Sequence, residues 1–151
     1  MLGILTKGQI DLVLDSQVIG RIGCHADGKT FVVPITYAYD GGYIYGHSKE
    51  GAKIKMMRKN PNVCFEVDVM ENMANWRSVI LWGEYEELKD VDSKEKGMKI
   101  LTDRLKPLMA SETAFSNEHH SMRAEMVEKE VKAIVYRIKV TECTGKYEKH
   151  W

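Results

Sequence analysis

Residues 63–69, Val-Cys-Phe-Glu-Val-Asp-Val, put an apolar side chain at every odd position and an acid at two of the even ones. That is the period of a β-strand wet on one face. Residues 76–88 continue in the same manner, and Ile134, Tyr136, Ile138 and Val140 alternate through a final run. Such runs need partners for their main-chain groups and a shared apolar side. Upstream, residues 18–25 and 30–39 are β-rich and separated by Ala26-Asp27-Gly28-Lys29, whose Asp-Gly pair suits a hairpin turn. Asp40-Gly41-Gly42 turns the chain into 43–46, which predicts a three-stranded meander.

Helical signals are fewer. Thr6 and Gln9 form a capping box, with Leu5 and Ile10 as a hydrophobic staple, for a helix ending near Ser16. Residues 51–59 read as a short helix begun near Ser48 and stopped by Asn60-Pro61. Asp92 and Glu95 suggest a second capping box, ahead of Met98, Leu101, Leu105 and Leu108 on one inward face. Residues 109–122 have no period and read as a loop.

About six strands in up-and-down order with three helices favour a mainly β, closed or split antiparallel barrel over a parallel sheet. At 151 residues the chain reads as a single domain, 1–151. No G-x-G-x-x-G, P-loop or G-x-S-x-G occurs.

Lysine plus arginine equal aspartate plus glutamate at 22 each, so no overall field draws the chain to nucleic acid or an anionic membrane. A nucleic-acid-binding small barrel would need a basic face. Cys24, Cys64 and Cys143 are far apart and odd in number, against a disulfide framework or a thiolate metal site. Lys7, Asp11 and Asp15 stand where a signal peptide needs an apolar run. The expectation is a soluble, cytoplasmic protein.

The chemistry concentrates in Tyr43-Ile44-Tyr45-Gly46-His47-Ser48-Lys49-Glu50-Gly51-Ala52-Lys53. A strand runs out, a hydroxyl follows, glycine permits close approach, and a lysine projects from the opening turn of a helix. Those parts make an anion cradle, in which free amides and the positive end of the helix macrodipole meet a phosphate. The plainer reading of an isolated Ser-x-x-Gly-x-Lys is a capping serine and solvated lysines.

The combination of Tyr45-Gly46-His47-Ser48, Gly51-Ala52-Lys53, Asn60-Pro61 and Val63-Cys64-Phe65 resembles the FMN-binding split barrel of the pyridoxamine 5'-phosphate oxidase-like superfamily. The branch it is most similar to holds the nitroimidazole-resistance-type flavoproteins. The resemblance implies FMN as cofactor. It implies that Val33, Pro34, Ile35 and Thr36 lie along the flavin ring and that His47, Ser48 and Lys53 serve the phosphate end. It further implies that Trp76, Arg77, Ser78 and Val79 press on the flavin from the same or a partner subunit.

His47 is the candidate catalytic residue, orienting substrate or giving a proton. A homodimer with flavin at its interface is expected, as is reduction of a small flat acceptor, nitroaromatic or quinone-like, by NAD(P)H. The alternative is a non-catalytic flavin or haem carrier or sensor. An adjacent Ser-Arg-Lys motif and an arginine-rich C-terminal segment are missing, which argues against pyridoxamine phosphate as substrate. No metal is expected, and the His119-His120 pair is read as solvent-exposed. Trp82 reads as core or interface.

Overall fold

The computed structural model describes residues 1–109 and 133–150. In chain order the elements are β1 (Leu2–Ile4), α1 (Lys7–Ser16), β2 (Ile19–Ala26), β3 (Lys29–Thr36), β4 (Ala38–Asp40) and β5 (Tyr43–Ser48). There follow α2 (Ala52–Lys59), β6 (Asn62–Asn72), β7 (Asn75–Leu88), α3 (Val91–Met109) and β8 (Ile134–Glu148). The His119-His120 pair, Trp151 and the expected loop beyond Met109 lie outside the described residues.

The two alternating runs pair with each other as β6 and β7, Phe65 opposite Leu81 and Val67 opposite Val79. All four side chains are fully buried. Burial of each such side chain is worth roughly 1.5–3 kcal/mol. β8 is the longest strand, pairing with β7 on one side and with β5 and β1 on the other.

The sheet runs β3-β2-β6-β7-β8-β5-β4, each neighbour antiparallel. The expected meander is therefore corrected. Two hairpins form, β2–β3 and β4–β5, but they lie at opposite ends of the sheet because β5 finds its partner in β8. The β-rich run 30–39 is broken at Tyr37, which alone joins β3 to β4. Both hairpin turns carry successive positive φ angles, Asp27 at 53° with Gly28 at 75°, and Gly41 at 56° with Gly42 at 85°. This is the turn geometry that matches strand twist.

One residue linking the two ends of the sheet bends it into a barrel. Neither β3 nor the Gly46–Ser48 half of β5 has a strand on its free side among the described residues, so the barrel is split there. Pro34 sits in this edge strand, opposite Arg21 of β2, the kind of position to which proline is confined within sheets. The interior is filled by Ile22, Phe65, Val79, Leu81, Tyr136 and Ile138, with Ile10 and Leu14 from α1 and Ile54 and Met57 from α2.

Thr6 caps α1 through the predicted reciprocal box with Gln9. At α3 the cap is Asp90, whose carboxylate accepts from the Ser93 amide at 3.0 Å, rather than the expected Asp92–Glu95 pair. Leu101 of α3 is buried against Ala38 and Tyr45, with Met98 and Leu105 beside it, while Leu108 stays exposed. No helix among the described residues is long and apolar enough to cross a membrane.

Tyr37 is fully buried, and its hydroxyl donates to the Leu14 carbonyl in the last turn of α1 at 2.6 Å. Its ring meets Phe65 edge-on, 5.0 Å between centroids. The joint of the sheet is thus pinned to helix and core together. Tyr37→Phe is expected to cost about 1–2 kcal/mol by leaving a carbonyl without its donor. Urea unfolding monitors it, and an unchanged midpoint would contradict the pinning role.

Candidate functional site

α2 leaves the end of β5 and packs against β2, so it crosses the end of the split barrel. Ile54 and Met57 plug the interior. At its far end Lys59 pairs with Asp27 at 2.5 Å, and the Asn60 amide donates to the His25 carbonyl at 2.8 Å. Both partners belong to the β2–β3 hairpin.

The near end is where charge is left over. α2 is capped by Gly51, with no side-chain hydrogen bond at the cap and no acid in its first turn. Ser48 is not the cap. It remains in β5, half-buried, and its hydroxyl donates to the Lys49 carbonyl at 2.7 Å. Lys53, in the opening turn, is half-buried. Burial pulls its ammonium below the usual lysine range, while the Cys24 thiol nearby pulls slightly the other way. Among the described residues no carboxylate forms an ion pair with Lys53. A desolvated cation beside unfilled helix amides favours an anion.

Beneath this corner lies a buried donor. The Tyr136 hydroxyl has no hydrogen-bond partner among the described residues. A Cβ built on Gly46, its partner in β5, would stand 2.7 Å from that oxygen. Burial holds both the Tyr136 phenol and the Cys24 thiol protonated, so neither is a ready nucleophile. The acidic depression formed by Asp11, Asp15, Tyr39 and Asp40 is unsuited to a phosphate. There burial, then Asp11, raises the Asp15 carboxyl.

The other predicted residues divide into two groups. On β3, Pro34 and Thr36 are exposed, Val33 is half-buried and Ile35 is in the core. Lys53 neighbours Cys24, which pairs with Phe31, so Pro34–Thr36 lie about 10–16 Å farther along the strand. One elongated ligand can span that distance. His47 is exposed on β5, opposite Val135.

The residues of β7 are not brought to this corner. β2 and β6 separate β3 from β7, three strand spacings or about 14 Å. Trp76 is half-buried with its indole nitrogen donating to Glu148 at 3.1 Å, and Arg77 is exposed. Ser78 is half-buried, while the Val79 side chain is sealed in the core and offers a ligand no surface. Trp82, expected in the core or an interface, is 40% exposed on the outer face. Its row in the sheet is Val32, Gly23, Cys64, Trp82 and Glu142, along a shallow groove of about 500 Å³.

Comparison with known proteins decides the lineage. Residues 6–147 match the family model described as pyridoxamine 5'-phosphate oxidase. The chain belongs to the pyridoxamine 5'-phosphate oxidase family. Solved structures share the fold. An FAD-binding protein from Mesorhizobium loti superposes with a TM-score of 0.77, 26% identical, covering 99% of each chain. A proposed 5-nitroimidazole antibiotic resistance protein from Bacteroides thetaiotaomicron gives 0.71 at 22% identity, over 97% of this chain and 87% of the other. An uncharacterized protein of Rhizobium meliloti is 33% identical over 85 residues, which is 56% of this chain and 56% of that one.

Within this family member the sequence reading missed Tyr136, whose alternation with Ile134 and Ile138 marked it only as core. Lys53 yields a test of the geometry that needs no ligand. Lys53→Met removes a desolvated, unpaired charge, so the melting temperature of the free protein should rise by about 2–4 °C. A fall would mean that the ammonium has a stabilising partner.

Proposed function

We propose that this protein binds FMN along the split of the barrel and, as a cytoplasmic homodimer, passes electrons from NAD(P)H to a small flat acceptor such as a nitroaromatic or quinone. The observation that carries this reading is the half-buried Lys53 ammonium without a carboxylate partner, set beside a helix N-terminus that has no side-chain cap. A terminal phosphate is the group that answers both. Lys53 and the amides at Gly51–Lys53 would hold it. Pro34 and Thr36 would flank the ring, with Val33 and Ile35 as backbone contacts.

The family resemblance and the FAD-binding relative support a flavin. A single compact corner, with one lysine and one helix end, favours a terminal phosphate over a dinucleotide. When bound, the flavin supplies the hydride and electron chemistry. The protein supplies anchorage, a walled ring site, and an exposed His47 able to orient the acceptor or hold a proton for it. The 14 Å between β3 and β7 supports a two-fold dimer, since Trp76, Arg77 and Ser78 reach a flavin on β3 only from a second copy. The outer face carries exposed Val32, Ile80 and Trp82 for such contact.

Titration of the free protein with FMN, FAD and riboflavin, followed by NAD(P)H oxidation with a nitroaromatic or quinone, tests the proposal. FMN should bind most tightly and support turnover. Lys53→Met should weaken FMN about 10–100-fold, the worth of a charge-assisted contact. Tight FMN without turnover would instead make the protein a carrier or sensor, and preference for FAD would replace the cofactor.

A further inference from the structure

Arg58, near the end of α2, reaches two carboxylates on different elements. Its Nε donates to Glu87 Oε1 at 2.8 Å and its Nη2 to Glu87 Oε2 at 3.3 Å, a two-pronged contact with β7. Its Nη1 donates to Glu50, in the segment between β5 and α2. Glu87 also accepts from the Tyr85 hydroxyl at 2.8 Å and is only 15% exposed. Arg58 and then Tyr85 hold the Glu87 carboxyl below its ordinary range, so this anchor stays ionised. A planar fork with fixed donors can hold two carboxylates at once in a set geometry, two-pronged on one of them, which the point charge of an ammonium on a flexible stem does not impose.

The helix itself does not depend on this contact. Ile54 and Met57 in the core, Lys59 on Asp27 and Asn60 on His25 already fix its body and far end. What Arg58 adds is a hold on Glu50, which stands between Ser48 and the capping Gly51. That segment leads into the open amides at Gly51–Lys53. Glu50 is moreover an acid next to a place suited to an anion, and left alone it would repel one.

We propose that Arg58 is a positioning residue for the anion corner: anchored on Glu87, it draws Glu50 back and sets the segment entering α2 so that the amides at Gly51–Lys53 and the Lys53 ammonium converge on one phosphate. This deepens, and rests on, the reading of the corner as a flavin-phosphate site. Arg58 touches no ligand. It acts through Glu50.

Charge alone and positioning predict opposite results. Glu50→Gln removes a negative charge near the phosphate, so on charge alone FMN should bind more tightly. If the tether matters, FMN binding should weaken about three- to tenfold. Arg58→Lys keeps the charge and loses the fork, so charge alone predicts no change and positioning predicts a similar loss. Riboflavin, which has the same ring and no phosphate, should bind wild type and both variants equally, and it reports that each variant is folded. FMN binding unchanged or tighter in the two variants, with wild type still preferring FMN to riboflavin, overturns the role of Arg58 alone. A wild type that does not distinguish the two flavins overturns the phosphate reading and this proposal with it.

Discussion

The fold turns on a joint of one residue. Tyr37 is all that separates β3 from β4, yet these strands terminate opposite ends of the sheet. A twisted sheet whose two margins are tied this closely has to curl into a barrel. The two margins are tied through the chain but not hydrogen-bonded to each other, and β3 and the latter half of β5 keep free edges. α2 can enter there because no strand fills the space. The placement of a cation at the barrel's end thus follows from how the sheet is tied at the other.

The same economy shapes the charges. Arg21 is committed to Glu66 and Asp68, Arg58 to Glu50 and Glu87, Lys59 to Asp27, and Arg137 to Glu86. Lys53 has no such pair among the described residues, and burial desolvates it. Surface pairs contribute little to stability, so their value here is placement.

Local signals in the sequence were the readable ones. Period-two runs gave β6 and β7 because one face of each packs on the same core, and Thr6 with Gln9 marked α1 through bonds three residues apart. The Asp27-Gly28 turn was legible since few other pairs accept two positive φ angles. Long-range choices were not. Nothing in residues 30–39 announces a break at Tyr37, and the pairing of β5 with β8 rather than β3 is settled about ninety residues away by a strand long enough to serve three partners. Ser48 looked like a cap because its type and place suited one, yet β5 extends through it and its hydroxyl is used by the next carbonyl. Lys53 was visible as a lysine in the right turn, but its burial and lack of an acid are tertiary facts. The orphaned Tyr136 hydroxyl likewise depends on Gly46 in a strand with which it pairs only in the fold.

The depressed proton affinity of Lys53 carries one more consequence. An anion settling beside it restores the preference for the ammonium, so occupancy and protonation of this nitrogen strengthen each other. In alkaline solution, within the interval between the free and occupied affinities, filling the corner draws a proton from the medium. The heat of uptake then varies with the ionisation enthalpy of the buffer, a calorimetric trace of a single amine.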